Sequence, residues 1–281
     1  MTAPIFRCGR FTFDLSRTIV MGVVNVTPDS FSDGGSHFDA ARAIAHARQC
    51  VADGAAIVDI GGESTRPGAA EVPDADELAR ILPVVESLTA AGIPVSVDTR
   101  KPAVMRAAIA AGAAMINDVA ALTAPGAIEV CASAGVGICL MHMRGEPRTM
   151  QQTPVYDDVV GEVRAFLVDR ARACEAAGIE RNRLAIDPGF GFGKTPAHNL
   201  SLLRKLETLV ATGYPVLVGL SRKSTLGLIT GRPVGERLAA SVAAALVAVA
   251  GGAAIVRVHD VRETVDALKV WQAVKGDLDR R

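Results

Sequence analysis

The chain has 281 residues, of which 49% are hydrophobic, and its 30 Lys and Arg residues balance 30 Asp and Glu residues. This length suits either two average domains or one large α/β barrel, which commonly needs about 250 residues. Nucleic-acid binding requires a basic excess that displaces counterions. A net charge near zero therefore argues against a general nucleic-acid binder but allows a local pocket for one anionic ligand.

The first 17 residues contain the sequence FRCGRFTF at 6–13, which predicts a small β-hairpin. We expect this hairpin to cap the floor of the domain that follows it. The same N-terminal segment has no apolar h-region, so no secretory signal is predicted and a cytoplasmic location is expected.

Eight short runs rich in Val and Ile follow, and longer amphipathic stretches separate them. Several of these runs are apolar on both faces, which is typical of parallel strands that helices cover on the outside. The predicted strands span 18–25, 55–60, 94–98, 114–118, 137–142, 184–187, 215–219 and 253–259.

Helix signals lie between the predicted strands. Asp39 is predicted to cap a helix over 40–51 that stops near Gly54. Pro83 lies inside the helical pattern of 77–88, where it predicts a kink or a break.

The uncharged stretch 238–256 imitates a membrane span, but Gly251 and Gly252 interrupt it and Arg257 follows it. This pattern indicates a helix, a turn and a buried strand instead. The cysteines are odd in number and form no CxxC pair, so we expect small buried thiols in a reducing compartment rather than disulfides. They are Cys8, Cys50, Cys131, Cys139 and Cys174.

Eight consecutive β-then-α units with no long linker predict one (β/α)₈ TIM barrel over 18–281, with the hairpin of 1–17 before it. A doubly wound open sheet is the alternative, because it shows the same alternation. In a β/α barrel, the active site lies where the strands end and the βα loops begin.

Polar residues stand at these predicted strand ends. A single Asp at such a position can also serve only to cap the next helix. Asp98, Asn117 and Asp187, however, end three apolar strands that should open on one mouth. Buried carboxylates and amides need a partner with complementary donors. A heterocycle with a ring N–H and an exocyclic amine, such as a pterin, would supply them.

Four basic residues from different loops, Arg66, Lys223, Arg257 and His259, should converge on the same mouth. Each alone would be an ordinary surface charge, but together they indicate an anion pocket, because Arg binds phosphate oxygens bidentately. Asn25 at the end of the first strand could hold a phosphate-bound Mg²⁺, which prefers oxygen ligands and substrate phosphates.

Two apparent motifs fail on spacing. The segment GFGFGKT at 189–195 looks like a P-loop, but Pro188 stands where the motif requires a glycine. The five histidines lie too far apart for a local zinc motif.

Eight segments closely resemble the dihydropteroate synthase family, the pterin-binding enzymes of folate biosynthesis that sulfonamides inhibit. They occur in order over nearly the whole chain, and the first two are long and highly specific. The segments are NVTPDSFSDGG (25–35), DIGGESTRPGA (59–69), SVDTRKP (96–102), INDV (116–119), MHMRGEPRTMQ (141–151), DPGFGFGKT (187–195), GLSRKS (219–224) and RVHDV (257–261).

The resemblance implies roles at the matching positions. The pterin pocket would comprise Asp98, Asn117, Met141, Asp187, Gly219 and Lys223. The diphosphate would be bound by Asn25, Arg66, Arg257 and His259, with Asn25 also binding Mg²⁺. The p-aminobenzoate site would comprise Phe31, Thr65, Pro67, Phe192, Ser221 and Ser224. The catalytic residues would be Asp33, Asp98, Lys223 and Arg257.

The resemblance also implies the reaction. Such an enzyme condenses 6-hydroxymethyl-7,8-dihydropterin diphosphate with p-aminobenzoate, giving 7,8-dihydropteroate and diphosphate through a dissociative, SN1-like pterin cation. Its partners would be these small molecules, with neither nucleic acid nor membrane. Many members pair as homodimers, which makes the Ala-rich helix at 236–250 a candidate interface.

Three alternatives stay open. A pterin-dependent methyltransferase would use the same barrel, but it should lack a diphosphate-binding group and an SRKS-type segment. A pterin-sequestering protein would not need both Arg66 and Arg257 beside a second, aromatic-lined pocket. A sugar-phosphate isomerase is disfavoured because no obvious base accompanies a phosphate loop at the last two strands.

Overall fold

The fold is taken from a computed structural model that describes residues 4–26, 36–64, 71–145, 150 and 154–275, without the side chains of 36–39. An antiparallel hairpin comes first, formed by β1 (Ile5–Cys8) and β2 (Phe11–Asp14). The eight parallel strands that follow are β3 (Ile19–Asn25), β4 (Ile57–Gly61), β5 (Val95–Asp98), β6 (Met115–Asp118), β7 (Gly137–Met141), β8 (Leu184–Asp187), β9 (Leu217–Val218) and β10 (Ile255–Val258).

The eight strands form a barrel. They pair in the order β8-β7-β6-β5-β4-β3-β10-β9, so the first barrel strand has the last one as a neighbour. A parallel bridge between Ile186 and Val216 connects the two ends of this order, and the Ile186 N–H donates to Pro215 O at 2.9 Å. The predicted barrel is therefore confirmed. The doubly wound alternative is wrong, because its sheet would leave two separate edges.

Helices lie between successive strands and cover the barrel. They are α1 (Ser36–Ala52), α2 (Asp74–Ala90), α3 (Pro102–Ala110), α4 (Ala127–Ala132), α5 (Val159–Ala176), α6 (Pro196–Arg204), α7 (Glu207–Val210), α8 (Ser224–Thr230), α9 (Leu238–Ala250) and α10 (Val261–Val274).

The helix ends test the local predictions. Helix α1 starts at Ser36, so the prediction that Asp39 caps it is wrong by one turn. Gly54 ends the same segment as predicted, with φ +104°, a value that glycine adopts without a Cβ clash. Helix α2 continues through Pro83, so no break occurs there.

The stretch 238–256 resolves into α9, a turn at Gly251–Gly252 and β10, as its glycines predicted. Among the described helices, none is long and apolar enough to cross a membrane. All five cysteines are buried free thiols, which confirms that they form no disulfide framework.

Two apolar clusters stabilise the barrel. The larger lies between the outward strand residues and the helices. The smaller fills the lower barrel with inward residues from most of the strands, and the hairpin adds Phe6, Cys8 and Leu15 to it. Phe6 is fully buried, and Gly9 N–H donates to Gly135 O at 3.1 Å. The hairpin therefore closes the floor of the barrel, where the strands begin.

Replacing Phe6 by alanine should lower the free energy of unfolding by about 3–5 kcal/mol, because the cavity would lie in the barrel floor. Ile5 is the matched control, since it lies in the same strand but is 48% exposed, so Ile5→Ala should cost far less. Urea unfolding of both variants measures the difference. Equal losses would show that Phe6 does not contribute to the barrel core.

Candidate active site

The inward-facing side chains form an apolar layer below and a polar layer above. Successive residues of a strand point to opposite faces, so each strand sends every second side chain into the barrel. The lower inward residues are apolar apart from Ser96 of β5, and they are Met21, Ile57, Met115, Cys139, Ala185, Leu217 and Ile255. Two to four residues further along the strands, the same face carries Asn25, Asp59, Asp98, Asn117, Met141, Asp187 and Arg257.

Arg257 is the centre of the polar layer. Its Nε donates to Asp59 Oδ2 at 2.6 Å, and its Nη2 donates to Asp98 Oδ2 at 2.9 Å. Asn117 Nδ2 donates to the same Asp59 oxygen at 3.0 Å. Residues from β4, β5, β6 and β10 therefore meet in one hydrogen-bonded group, as the sequence predicted for Asp98, Asn117 and Arg257.

Asp59 was not among the predicted site residues, although it accepts two of these three hydrogen bonds. Its side chain is fully buried, and its Oδ1 receives no hydrogen bond from the described residues. A signal for it existed in the sequence: Asp59 is the only charged residue of the run IVDIG at 57–61, and it shares the inward face with Ile57. A charged residue on the buried face of a strand requires a partner of opposite charge, which Arg257 provides.

Burial changes the acidity of the carboxylates in this group. Burial, partly opposed by Arg257 and reinforced by the charge of Asp59, raises the pKa of Asp98 to about 7. Burial likewise raises the pKa of Asp187 to about 6, against a backbone hydrogen bond from Gly189 and the charge of Lys223. Near neutral pH, both groups can therefore change protonation state with small changes in their surroundings.

Burial has different effects on the two cations of this group, Lys223 and Arg257. Burial and the neighbouring Arg257 lower the pKa of Lys223 to about 8, although Asp187 and Asp98 oppose the shift. For Arg257, burial acts against the charge, but Asp59 and Asp98 outweigh it and raise the pKa further above its usual range. Near neutral pH, Arg257 is therefore always charged, whereas Lys223 has a pKa close enough to neutrality to lose its proton.

The loop after β8 adds an aromatic wall. Gly189 N–H donates to Asp187 Oδ1 at 2.7 Å, which orients that carboxylate. Lys223 Nζ lies 4.2 Å from the centre of the Phe192 ring, a cation–π contact. The predicted pterin and p-aminobenzoate residues therefore meet at Lys223 and Phe192.

The loop after β9 is held in an unusual backbone conformation. Arg222 has φ +59°, which is rare outside glycine, and its Nε and Nη2 donate to Asp260 Oδ2 and Oδ1. Ser241 Oγ accepts from Arg222 N–H at 2.9 Å. These contacts fix the turn that separates Ser221 from Lys223.

His259 lies against this turn. Its Nδ1 is 3.0 Å from Ser221 Oγ, and its backbone N–H donates to the same hydroxyl at 3.2 Å. Burial and the charges of Arg257 and Arg222 lower the pKa of His259 to about 4. Near neutral pH, His259 is therefore an uncharged hydrogen-bonding group rather than a cation. Ser224 is exposed at the first position of α8.

Three other predicted residues lie around the same mouth. Asn25 ends β3, and a Cβ at Gly61 would lie 3.7 Å from its Oδ1. Met141 ends β7 and is buried, with its Cγ 3.3 Å from a Cβ built at Gly189. A Cβ at Gly219 would lie 3.9 Å from the Cβ of Arg257. The predicted residues outside the described part of the chain are Phe31, Asp33, Thr65, Arg66 and Pro67.

Asp118 shows that helix and loop capping also accounts for some strand-end acids. It points away from the barrel interior, and its two oxygens accept from Ala120 N and Leu122 N, both at 2.7 Å. Asn117 faces the mouth and Asp118 shapes the following turn, because adjacent strand residues face opposite sides.

The donor set limits how a metal could bind. The described residues hold no group of three or more His, Cys, Asp or Glu side chains suited to a metal ion. The amide oxygen of Asn25 fits a hard cation such as Mg²⁺, which takes few protein ligands when substrate phosphates supply the others. The described residues therefore fit a metal that a phosphate ligand shares, rather than a closed protein cage.

Residues 21–259 match the model of the family described as pterin binding enzyme. The dihydropteroate synthase of Neisseria meningitidis serogroup B is 53% identical over 285 residues, covering 99% of this chain and all of that protein.

Solved structures agree over the same length. Xanthomonas albilineans dihydropteroate synthase with 4-aminobenzoic acid is 55% identical, with a TM-score of 0.92 over 98% of this chain and 99% of that chain. Burkholderia cenocepacia dihydropteroate synthase complexed with 7,8-dihydropteroate is 50% identical, with a TM-score of 0.90 over the full length of both chains. The family match, the relatives and the barrel with its polar mouth agree: this chain belongs to the pterin-binding enzyme family and, within it, to the dihydropteroate synthases.

Proposed function

We propose that the barrel mouth condenses 6-hydroxymethyl-7,8-dihydropterin diphosphate with p-aminobenzoate to give 7,8-dihydropteroate and diphosphate. The observation that carries this proposal is the buried group of Asp59, Asp98, Asn117 and Arg257, which lies beside Asp187 and Lys223. It offers acceptors for ring N–H groups and a cation for phosphate within one concave site.

The pterin ring fits the carboxylates and the amide. Its ring N–H and exocyclic amine are donors, and Asp98, Asp187 and Asn117 present acceptor oxygens from three strand ends. Lys223 can donate to an acceptor atom of the same ring. Burial makes these hydrogen bonds selective, because a ligand without matching donors would leave carboxylates unpaired.

The diphosphate fits the basic side of the mouth. The Arg257 guanidinium has five N–H groups, and its bonds to Asp59 and Asp98 use two of them. His259 adds an uncharged N–H donor, and Arg66 is proposed from its motif position. Asn25 would hold Mg²⁺ against the phosphates, where the ion would neutralise charge on the leaving group.

The p-aminobenzoate ring would pack against Phe192, with its carboxylate near Ser221 and Ser224. Phe31, Thr65 and Pro67 complete this part of the proposal from their motif positions. Lys223 lies between the two proposed half-sites. The amine would therefore point across it at the pterin methylene carbon.

The reaction needs a good leaving group and a stabilised cation. The C–O bond to the diphosphate breaks with both electrons going to oxygen, and Arg257 stabilises the negative charge that leaves. The methylene carbon becomes positive, and the charge spreads into the pterin, where the carboxylate of Asp98 favours it. The p-aminobenzoate amine forms the C–N bond and then loses a proton. We assign Asp33 to the same cation from its motif position.

The methyl-transfer alternative finds no support. The relatives described above are synthases, and the SRKS segment of 221–224 shapes the site through Arg222 and Lys223. We also propose a cytoplasmic location, because five free thiols suit a reducing compartment.

We propose a homodimer that pairs near α9, as the Ala-rich sequence 236–250 suggested. Large apolar side chains are exposed around this helix, with Leu228 at 70%, Val234 at 57% and Val247 at 52%. Apolar groups exposed in this way favour association between surfaces of the same chain.

The proposed reaction is tested by mixing the protein with the pterin diphosphate, p-aminobenzoate and Mg²⁺. We expect 7,8-dihydropteroate and diphosphate to form in equal amounts, and EDTA to reduce the rate because charge on the leaving group is no longer neutralised. Chromatography of the product and a diphosphate assay measure both. Folded protein that forms neither product would refute the function.

Binding of 6-hydroxymethyl-7,8-dihydropterin should weaken as the pH falls from about 8 to about 5. The pKa of Asp98 is raised to about 7 and that of Asp187 to about 6, so acidification protonates both acceptors of the ring N–H groups. Calorimetric titration across this range measures the midpoint, and a ligand without diphosphate avoids phosphate protonation. An affinity independent of pH would remove both carboxylates from the pterin site.

Replacing Asp59 by asparagine should weaken pterin binding about 10- to 100-fold, because Arg257 and Asn117 lose a charged hydrogen-bond partner. It should also move the pH midpoint of binding to a lower value, since the charge of Asp59 raises the pKa of Asp98. Asp169→Asn is the control, because Asp169 is exposed on α5. Equal affinities and midpoints in both variants would contradict this role of Asp59.

A further inference from the structure

Lys194 belongs to the P-loop-like segment, yet the proposed reaction gives it no role. Its side chain is buried, with the whole residue only 2% exposed. Its Nζ lies 3.0 Å from both Gly189 O and Phe192 O, 3.2 Å from His142 O and 2.9 Å from His142 Nδ1. The amine therefore links the loop after β7 to the loop after β8.

The backbone around Lys194 has the opposite polarity to a P-loop. In a P-loop, backbone N–H groups point at a phosphate, whereas here carbonyl oxygens point at an amine. Gly189, Gly191 and Gly193 have φ values of +68°, +80° and +61°, which turn the chain around Nζ. A Cβ at Gly189 would collide with His142 O, so the two loops are in direct backbone contact.

Phe192 connects this lysine to the mouth. Its carbonyl accepts from Lys194, and its ring packs over Lys223 Nζ. Neighbouring contacts hold the same turn: Tyr156 donates its hydroxyl to Gly193 O at 2.9 Å, and Gly191 N–H donates to Asn199 Oδ1 at 3.0 Å. The position of the Phe192 ring therefore depends on a backbone that curls around one amine.

Burial disfavours the charged form of this amine. Burial lowers the pKa of Lys194 to about 7, and burial together with the charge of Lys194 lowers the pKa of His142 to about 3. His142 is thus neutral and can accept at Nδ1. A buried amine with three carbonyl partners destabilises less than an unpaired one, whereas an apolar side chain at this position would leave those carbonyls without their donor.

We propose that Lys194 is a positioning residue for the p-aminobenzoate half-site, and that it acts by holding Phe192 in place. The proposal rests on the function proposed above. It affects mainly one half-site, because Asp59, Asp98 and Arg257 hold the pterin side through contacts that do not involve Lys194, which acts on that side through Gly189 and Asp187.

The test replaces Lys194 by methionine, which keeps the length of the side chain and removes the donors. We expect the KM for p-aminobenzoate to rise about tenfold, because an aromatic contact would be misplaced. The Kd for dihydropterin diphosphate should rise less than this KM, because Lys194 acts on the pterin side through Gly189, whose N–H donates to Asp187. Lys205→Met is the matched control, since Lys205 is exposed just after α6.

A double variant tests whether the effect passes through Phe192. If it does, Phe192→Leu combined with Lys194→Met should raise the KM for p-aminobenzoate no further than Phe192→Leu alone. Additive effects would overturn the proposal, as would equal losses at both half-sites. Lys194→Gln keeps two N–H donors and should have a smaller effect on this KM than Lys194→Met.

Failure to fold would also decide the question. If the methionine and glutamine variants both unfold at 25 °C by circular dichroism, Lys194 serves the whole barrel and the proposal is wrong. A wild-type protein without synthase activity would instead refute the proposed function, whereas an active wild type with unchanged KM in Lys194→Met would refute the inference alone.

Discussion

The arrangement of the mouth depends on one buried cation, Arg257, held between the carboxylates of Asp59 and Asp98. A guanidinium inside a barrel is tolerable only when its charge and its N–H groups have partners, because desolvation of an unpaired ion costs several kcal/mol. Asp59 provides a partner from β4, and Asn117 donates to the same oxygen of Asp59. Asp98 provides the other partner from the side that faces the mouth, and there its pKa rises towards neutrality.

The rest of the barrel makes that arrangement possible because the residues that stabilise the fold and the residues of the site lie in different layers. The lower inward layer is apolar apart from Ser96 and is closed by Phe6 of the hairpin, so an apolar core stabilises the strands. The upper inward layer can then hold charges at the carboxyl ends of the strands, where the loops are free to vary. The same strands thus form both layers, and the period of two along each strand keeps the two sets of residues on one face.

The backbone conformation of the loops fixes the positions of several site residues. Arg222 with its positive φ places Ser221 and Lys223, and Asp260 holds it there. The glycine turn around Lys194 places Phe192 over Lys223. In both cases, a charged side chain outside the proposed substrate contacts fixes the position of a residue that would contact the substrate. The two proposed half-sites therefore meet at Lys223.

The sequence by itself determined the eight strands, the barrel class and most of the polar strand ends, because hydrophobic periodicity and strand-end residues are local properties of the chain. Its family motifs also predicted site roles for Asp98, Asn117, Asp187, Lys223 and Arg257. It misplaced the start of α1, and it found no role for Asp59 or Lys194. Only the tertiary structure shows that Asp59 bonds Arg257, 198 residues away, and that Lys194 bonds carbonyls of two loops. Partner choice and pKa depend on which buried groups the closed barrel brings together, and no local pattern encodes those distances.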